Sequence, residues 1–136
     1  MPEERPPRGI LDTSVVIDLE RIDPASLPNE VAVTAMTMAE LAAGPHATTD
    51  SAERANRQDR LQRAEAVFDA LPFDAAAARA YGRVYAAVVA QGRKAREPRA
   101  VDLMIAAVAC ATQLPLVTRN PVDFSGLDGI VEIVAV

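Results

Sequence analysis

Apolar positions along this chain follow two different spacings. Short aliphatic runs at Ile10-Leu11, Val31 to Thr34, Leu71 to Phe73, Leu116 to Thr118 and Val131 to Val136 are separated by longer stretches with helical spacing. Runs this short, alternating with helices, predict the βαβ rhythm of a parallel sheet of about five strands, buried on both faces. Ser14 to Glu20 reads as a first helix with Thr13 or Ser14 as its N-cap, and Thr37 to Ala43 as a second, closed by Gly44-Pro45. Asp50 to Ala70 is a long amphipathic segment, apolar at Leu61, Ala64, Val67 and Phe68, with Arg54, Arg57, Arg60 and Arg63 on its polar side. Ala75 to Gln91 carries Tyr81, Val84, Tyr85, Val88 and Val89 and ends at Gly92. After a basic connector from Arg93 to Arg99, Val101 to Thr112 is a strongly apolar helix, with Val101, Met104, Ile105, Val108 and Ala109 on one face.

Length and composition narrow the class. With 136 residues, 50% of them hydrophobic, the chain can bury one core but not two. A single domain over residues 9–136 is expected, preceded by a flexible, charged and Pro-rich extension over residues 1–8. No stretch has the apolar core of a signal peptide or the roughly 20 apolar residues of a membrane span, so a cytoplasmic protein with no membrane partner is expected. Cys110 is the one cysteine, which excludes an intramolecular disulfide and leaves it as a small buried hydrophobe. The net charge of -5 argues against broad, nonspecific nucleic-acid binding, so any RNA contact must be local. Thirteen of the fourteen Lys and Arg residues are Arg, which suits bidentate recognition of phosphate or carboxylate.

The acidic residues carry the chemistry. In a parallel sheet with right-handed crossovers, ligands bind outside the carboxyl ends of the strands. Asp12 directly follows Ile10-Leu11 and so falls at that edge. Glu40, in the helix after the second strand, returns to the same edge, and Asp102 begins the helix that feeds the fourth strand. Asp123 follows Thr118 in the loop leaving that strand, with Asn120 between them. Each residue also has a plain structural reading: Asp12 as a helix cap, Asp102 as a first-turn acid favoured by the helix dipole, Glu40 and Asp123 as surface acids. Together they are four carboxylates sent from separate segments to one rim, a cluster tolerable only with shared protons or bound cations. Mg2+ or Mn2+, which prefer oxygen ligands, are the natural solution, and such ions suit phosphodiester hydrolysis. His46, just after the helix break, is not placed to help.

These motifs resemble those of a known family. Ile10-Leu11-Asp12-Thr13-Ser14, Met38-Ala39-Glu40-Leu41, Asp102 to Ala107 and Thr118 to Phe124 are similar, in order and spacing, to the four motifs of PIN-domain ribonucleases, and in length to the VapC toxins of VapBC toxin-antitoxin pairs. The resemblance implies an α/β/α sandwich with strand order 3-2-1-4-5 and a Mg2+- or Mn2+-dependent endoribonuclease. It implies that Asp12, Glu40, Asp102 and Asp123 are the catalytic, metal-binding acids, with Asn120 the substitute should Asp123 not serve. It makes Thr118, Asn120, Thr13 and Ser14 residues that orient ligands or water. It also implies a homodimer, an RNA substrate, and a cognate VapB-like antitoxin whose C-terminal segment lies across the groove and sets a basic side chain near the acids. Arg93, Lys94, Arg96 and Arg99 would supply local phosphate contacts or form a solvated loop.

Other folds with acidic pockets fit less well. A receiver domain that takes a phosphoryl group with Mg2+ needs a Lys after the fifth strand, and the only lysine is Lys94. Haloacid-dehalogenase phosphatases need an Asp where Ser14 stands. A binding module that has kept the fold and lost activity is the remaining alternative, and the presence of all four acids argues against it.

Overall fold

The computed structural model describes residues 5–92 and 100–136. In chain order the elements are β1 (Arg8–Leu11), α1 (Thr13–Ile17), β2 (Glu30–Thr34), α2 (Ala35–Ala43), α3 (Ser51–Val67), β3 (Ala70–Leu71), α4 (Ala75–Ala90), α5 (Ala100–Thr112), β4 (Leu116–Thr118) and β5 (Ile133–Ala135). Single 3-10 turns lie at Leu19–Arg21, Pro24–Ser26, Gly44–Ala47 and Pro121–Phe124. The five strands are all parallel, in the order β3-β2-β1-β4-β5. This is the fold class and strand order that the sequence led us to expect.

Strand alternation splits the core into two layers. Ile10 and Leu116 face a cluster with Ala77, Ala80, Val84 and Val88 of α4 and Leu103, Ile105 and Val108 of α5. Their neighbours Leu11 and Val117, with Val33, face Val15 and Val16 of α1, Leu41 of α2 and Ala64 of α3. Helices thus cover both sheet faces, as an all-parallel sheet requires. Close packing also fixes β1 against the loop before β2, because a Cβ on Gly9 would fall 2.9 Å from Pro28 Cγ. Ahead of β1, Arg5 donates to the carbonyls of Pro24 and Ala25 and to Asn29 Oδ1.

Element boundaries depart from the pattern where local hydrogen bonding overrides it. The first helix stops at Ile17 because the chain tightens into the 3-10 turn that follows. Asp12, rather than Thr13 or Ser14, is its N-cap. The second helix begins at Ala35, since Thr34 Oγ1 accepts from the Thr37 N–H. β3 keeps only Ala70–Leu71, leaving Phe73 outside the ladder and 36% exposed. β5 starts at Ile133, because Ile130 and Val131 are still turned back onto the Leu127 carbonyl. Val67, expected on the apolar side of α3, is 72% exposed.

Candidate functional site

The carboxyl edge of the sheet is organised by three consecutive residues, Asp12-Thr13-Ser14. The Asp12 N–H donates to the Val117 carbonyl of β4, and its side chain is 5% exposed. A buried carboxylate is costly without donors, and Asp12 has three. Oδ1 accepts from Ser14 Oγ at 2.6 Å and from the Val15 N–H at 3.2 Å, while Oδ2 accepts from Thr118 Oγ1 at 2.6 Å. Thr118 Oγ1 in turn accepts from the Asn120 N–H, and Ser14 Oγ accepts from the Arg119 N–H. The chain leaving β4 is thereby tied to the start of α1.

Thr13 faces the other way. Its hydroxyl donates to Glu40 Oε1 at 2.6 Å and lies 3.0 Å from Thr37 Oγ1, so α2 is fastened to α1 through the acid itself. Glu40 is exposed, while Thr34 and Thr37 beneath it are fully buried. A cleft of about 340 Å3 opens here, lined by Thr13, Ile17, Glu40, Glu53, Arg57 and Arg60 among others.

Asp102 lies in the first turn of α5, half-buried, and α5 packs against both α2 and the Pro121–Phe124 turn. Asp123, also half-buried, sits in that turn, where its N–H donates to the Asn120 carbonyl. The Asn120 side chain is exposed and makes no cap bond. Arg93, Lys94, Arg96 and Arg99 lie outside the described residues. His46 is exposed in the 3-10 turn after α2, and Cys110 is buried in α5.

Sequence reasoning thus named the buried acid with its hydroxyl partners Ser14 and Thr118, and Glu40 with the Thr13 that bonds it. It missed three contributors. Thr34 and Thr37 escaped because the second helix was read as starting at Thr37; a threonine ending a strand before a helix is the signal that would have found the cap. Arg119 brings a cation to the rim, its Nε 3.6 Å from Asp18 Oδ2, and no spacing rule marks it.

The donor chemistry suits a hard divalent cation. It is all oxygen, with Asp12 already oriented and Glu40 one residue away through Thr13. As the side chains are placed, no three His, Cys, Asp or Glu among the described residues close into a metal-holding group.

A parallel 3-2-1-4-5 sheet with a buried Asp directly after β1 fits the PIN domain, and the chain belongs to that family, whose model matches residues 10–129. It is 40% identical to Ribonuclease VapC5 of Mycobacterium tuberculosis over 136 residues, 96% of this chain and 97% of the relative. It is 38% identical to Ribonuclease VapC8 of the same species over 102 residues, 74% of this chain and 89% of the relative. Among solved structures, the crystal structure of VapBC-5, a member of the VapBC family of toxin-antitoxin systems from Mycobacterium tuberculosis, superposes with a TM-score of 0.84 at 41% identity, covering 96% of this chain and all of that one. VapBC2 from Rickettsia felis, bound to a DNA fragment from its promoter, superposes at 0.74 with 19% identity over 95% and 98% of the two chains, a likeness of fold.

Proposed function

We propose that this protein is an endoribonuclease that hydrolyses RNA phosphodiester bonds and acts as the toxin of a toxin-antitoxin pair. The observation that carries the reading is Asp12, a carboxylate buried directly after β1, held by Ser14, Val15 and Thr118 and linked to Glu40 through the neighbouring Thr13. Its likeness to Ribonuclease VapC5 over nearly the whole chain supports the same reading.

Mg2+ or Mn2+ would be held by Asp12, Asp102 and Glu40, with Asp123, or Asn120 in its stead, as a fourth group. The ion would supply charge neutralisation for the phosphate and acidify a bound water. The chain's own residues do the positioning. Ser14 and Thr118 fix the plane of the Asp12 carboxylate. Thr13 occupies Glu40 Oε1 and so leaves Oε2 for a ligand. The backbone bonds of Arg119 and Asn120 hold the loop that carries Asp123.

The partners follow from the same likeness: an RNA substrate, a VapB-like antitoxin and a second copy in a homodimer. The antitoxin segment would cross the cleft at Glu40. An apolar groove of about 230 Å3, lined by Val16, Ile17, Leu19, Val67 and Phe68, adjoins that cleft and shares Ile17 and Arg60 with it. It would seat the apolar side chains of that segment.

The test is incubation of total bacterial RNA with purified, antitoxin-free protein in Mg2+ or Mn2+. Discrete fragments that vanish with EDTA and in an Asp12→Asn variant are expected. A folded protein that gives no metal-dependent fragments would contradict the reading and favour a PIN-like binding module.

A further inference from the structure

The polar side of α3 holds four arginines, Arg54, Arg57, Arg60 and Arg63, and three of them are committed. Arg54 donates to the carbonyls of Pro45 and Thr48. Arg57 donates to Glu53 Oε1 at 3.0 Å and to the Gly44 carbonyl at 2.9 Å. Arg63 bridges Glu20 and Asp59. Arg60, half-buried, makes no hydrogen bond or close ion pair with any described residue. It lines both the cleft that contains Glu40 and the adjoining apolar groove.

The carboxylates around Arg60 are already engaged by other donors. Glu53 is bonded by Arg57, Asp59 by Arg63 and Glu40 by Thr13. Glu20 is held below the usual carboxylate range first by the hydrogen bond from Arg63 and then by that residue's charge, with the charge of Arg60 a minor addition. A guanidinium has five N–H donors and favours bidentate anions. Arg60 is therefore a surplus cation in the wall of the acid cleft of a chain with net charge -5.

We propose that Arg60 seats a backbone phosphate of the RNA substrate on the α3 side of the acid cleft, making it a positioning residue for the hydrolysis. This inference rests on the nuclease reading. RNA fits because its phosphates are separate anions along a strand, so one can lie beyond Glu40 toward Asp12 while a neighbour reaches Arg60 in the cleft that Glu40 and Arg60 both line. Such a contact carries no base information; it sets register and orientation.

The test measures binding of fluorescein-labelled bulk transfer RNA by anisotropy, in EDTA so that the strand stays intact, across a salt series. Wild type is compared with Arg60→Gln, Arg60→Lys and Arg63→Gln. Arg60→Gln should weaken binding about tenfold at low salt and flatten the slope of log Kd against log salt by about one. Arg60→Lys should restore the slope, and Arg63→Gln should change neither quantity. An unchanged slope in Arg60→Gln, a loss that Lys does not rescue, or no RNA binding by wild type would overturn the proposal. Loss of binding through Arg60 in a protein that cleaves no RNA in any metal would retain the phosphate seat and overturn the nuclease reading instead.

Discussion

Asp12 is at once the N-cap of α1 and the hydrogen-bond partner of a β4 residue. As N-cap of α1 it accepts from the Val15 N–H, and through Oδ2 it is joined to Thr118, which is fully buried in β4. Capping and orienting are one arrangement, because the donors that make burial tolerable also fix the carboxylate plane. Thr118→Val keeps the shape of the side chain and removes both the donor to Asp12 and the acceptor for the Asn120 N–H. It should cost about 1–3 kcal/mol, read as a lower melting temperature, and reduce RNA cleavage more than a stability loss of that size explains. At the surface the pair of Glu20 and Arg63 makes the opposite case. The Glu20 carboxyl lies below its ordinary value, so whatever the pair contributes is present near neutral pH and lost as acidification passes through that depressed value. Both side chains are well exposed, and Arg63→Gln should leave the melting temperature at physiological salt almost unchanged.

At the scale of elements, what was legible in the sequence followed the strength of each periodic signal. The helix from Val101 to Thr112 was read almost to its ends because apolar residues recur along it at helical spacing, and seven of its residues are buried, packed with α4 and the sheet. Leu103→Ala in that layer should cost about 2–5 kcal/mol by denaturant unfolding. β3 was misplaced because a two-residue edge strand has no period to read, and Phe73 looked like strand when it lies beyond it. Thr34 and Thr37 were missed because capping depends on φ and ψ at one residue and leaves no periodic trace. Gln113, the residue after α5, is in a left-handed conformation, with φ of 57°. A side chain there is strained, and Gly is the usual residue. Gln113→Gly should raise stability by about 0.5–1 kcal/mol in thermal unfolding and leave RNA cleavage unchanged, since it lies next to the start of β4, away from the acids.

For the whole molecule, parallel topology decides what meets. β1 and β4 are central neighbours, so the residues at and just beyond their carboxyl ends, Asp12 and Thr118 to Asn120, come together without any local sequence signal linking them. That is why strand order could bring Asp12 and Thr118 to one edge, while the distances there could not be read from it. Side-chain placement rests on hydroxyl bridges from Thr13, Ser14 and Thr118, and those are set by packing. The net charge of -5 means that the overall field of the chain does not attract a polyanion. The central claim is that carboxylates delivered by separate segments form one divalent-cation site. The most direct measurement is Mn2+ binding by calorimetry to wild type and to Asp12→Asn, Glu40→Gln and Asp102→Asn, each checked for folding by circular dichroism. The account predicts saturable binding that is lost in the Asp12 and Asp102 variants and weakened in the Glu40 variant. Equal Mn2+ affinity in all four folded proteins would contradict it.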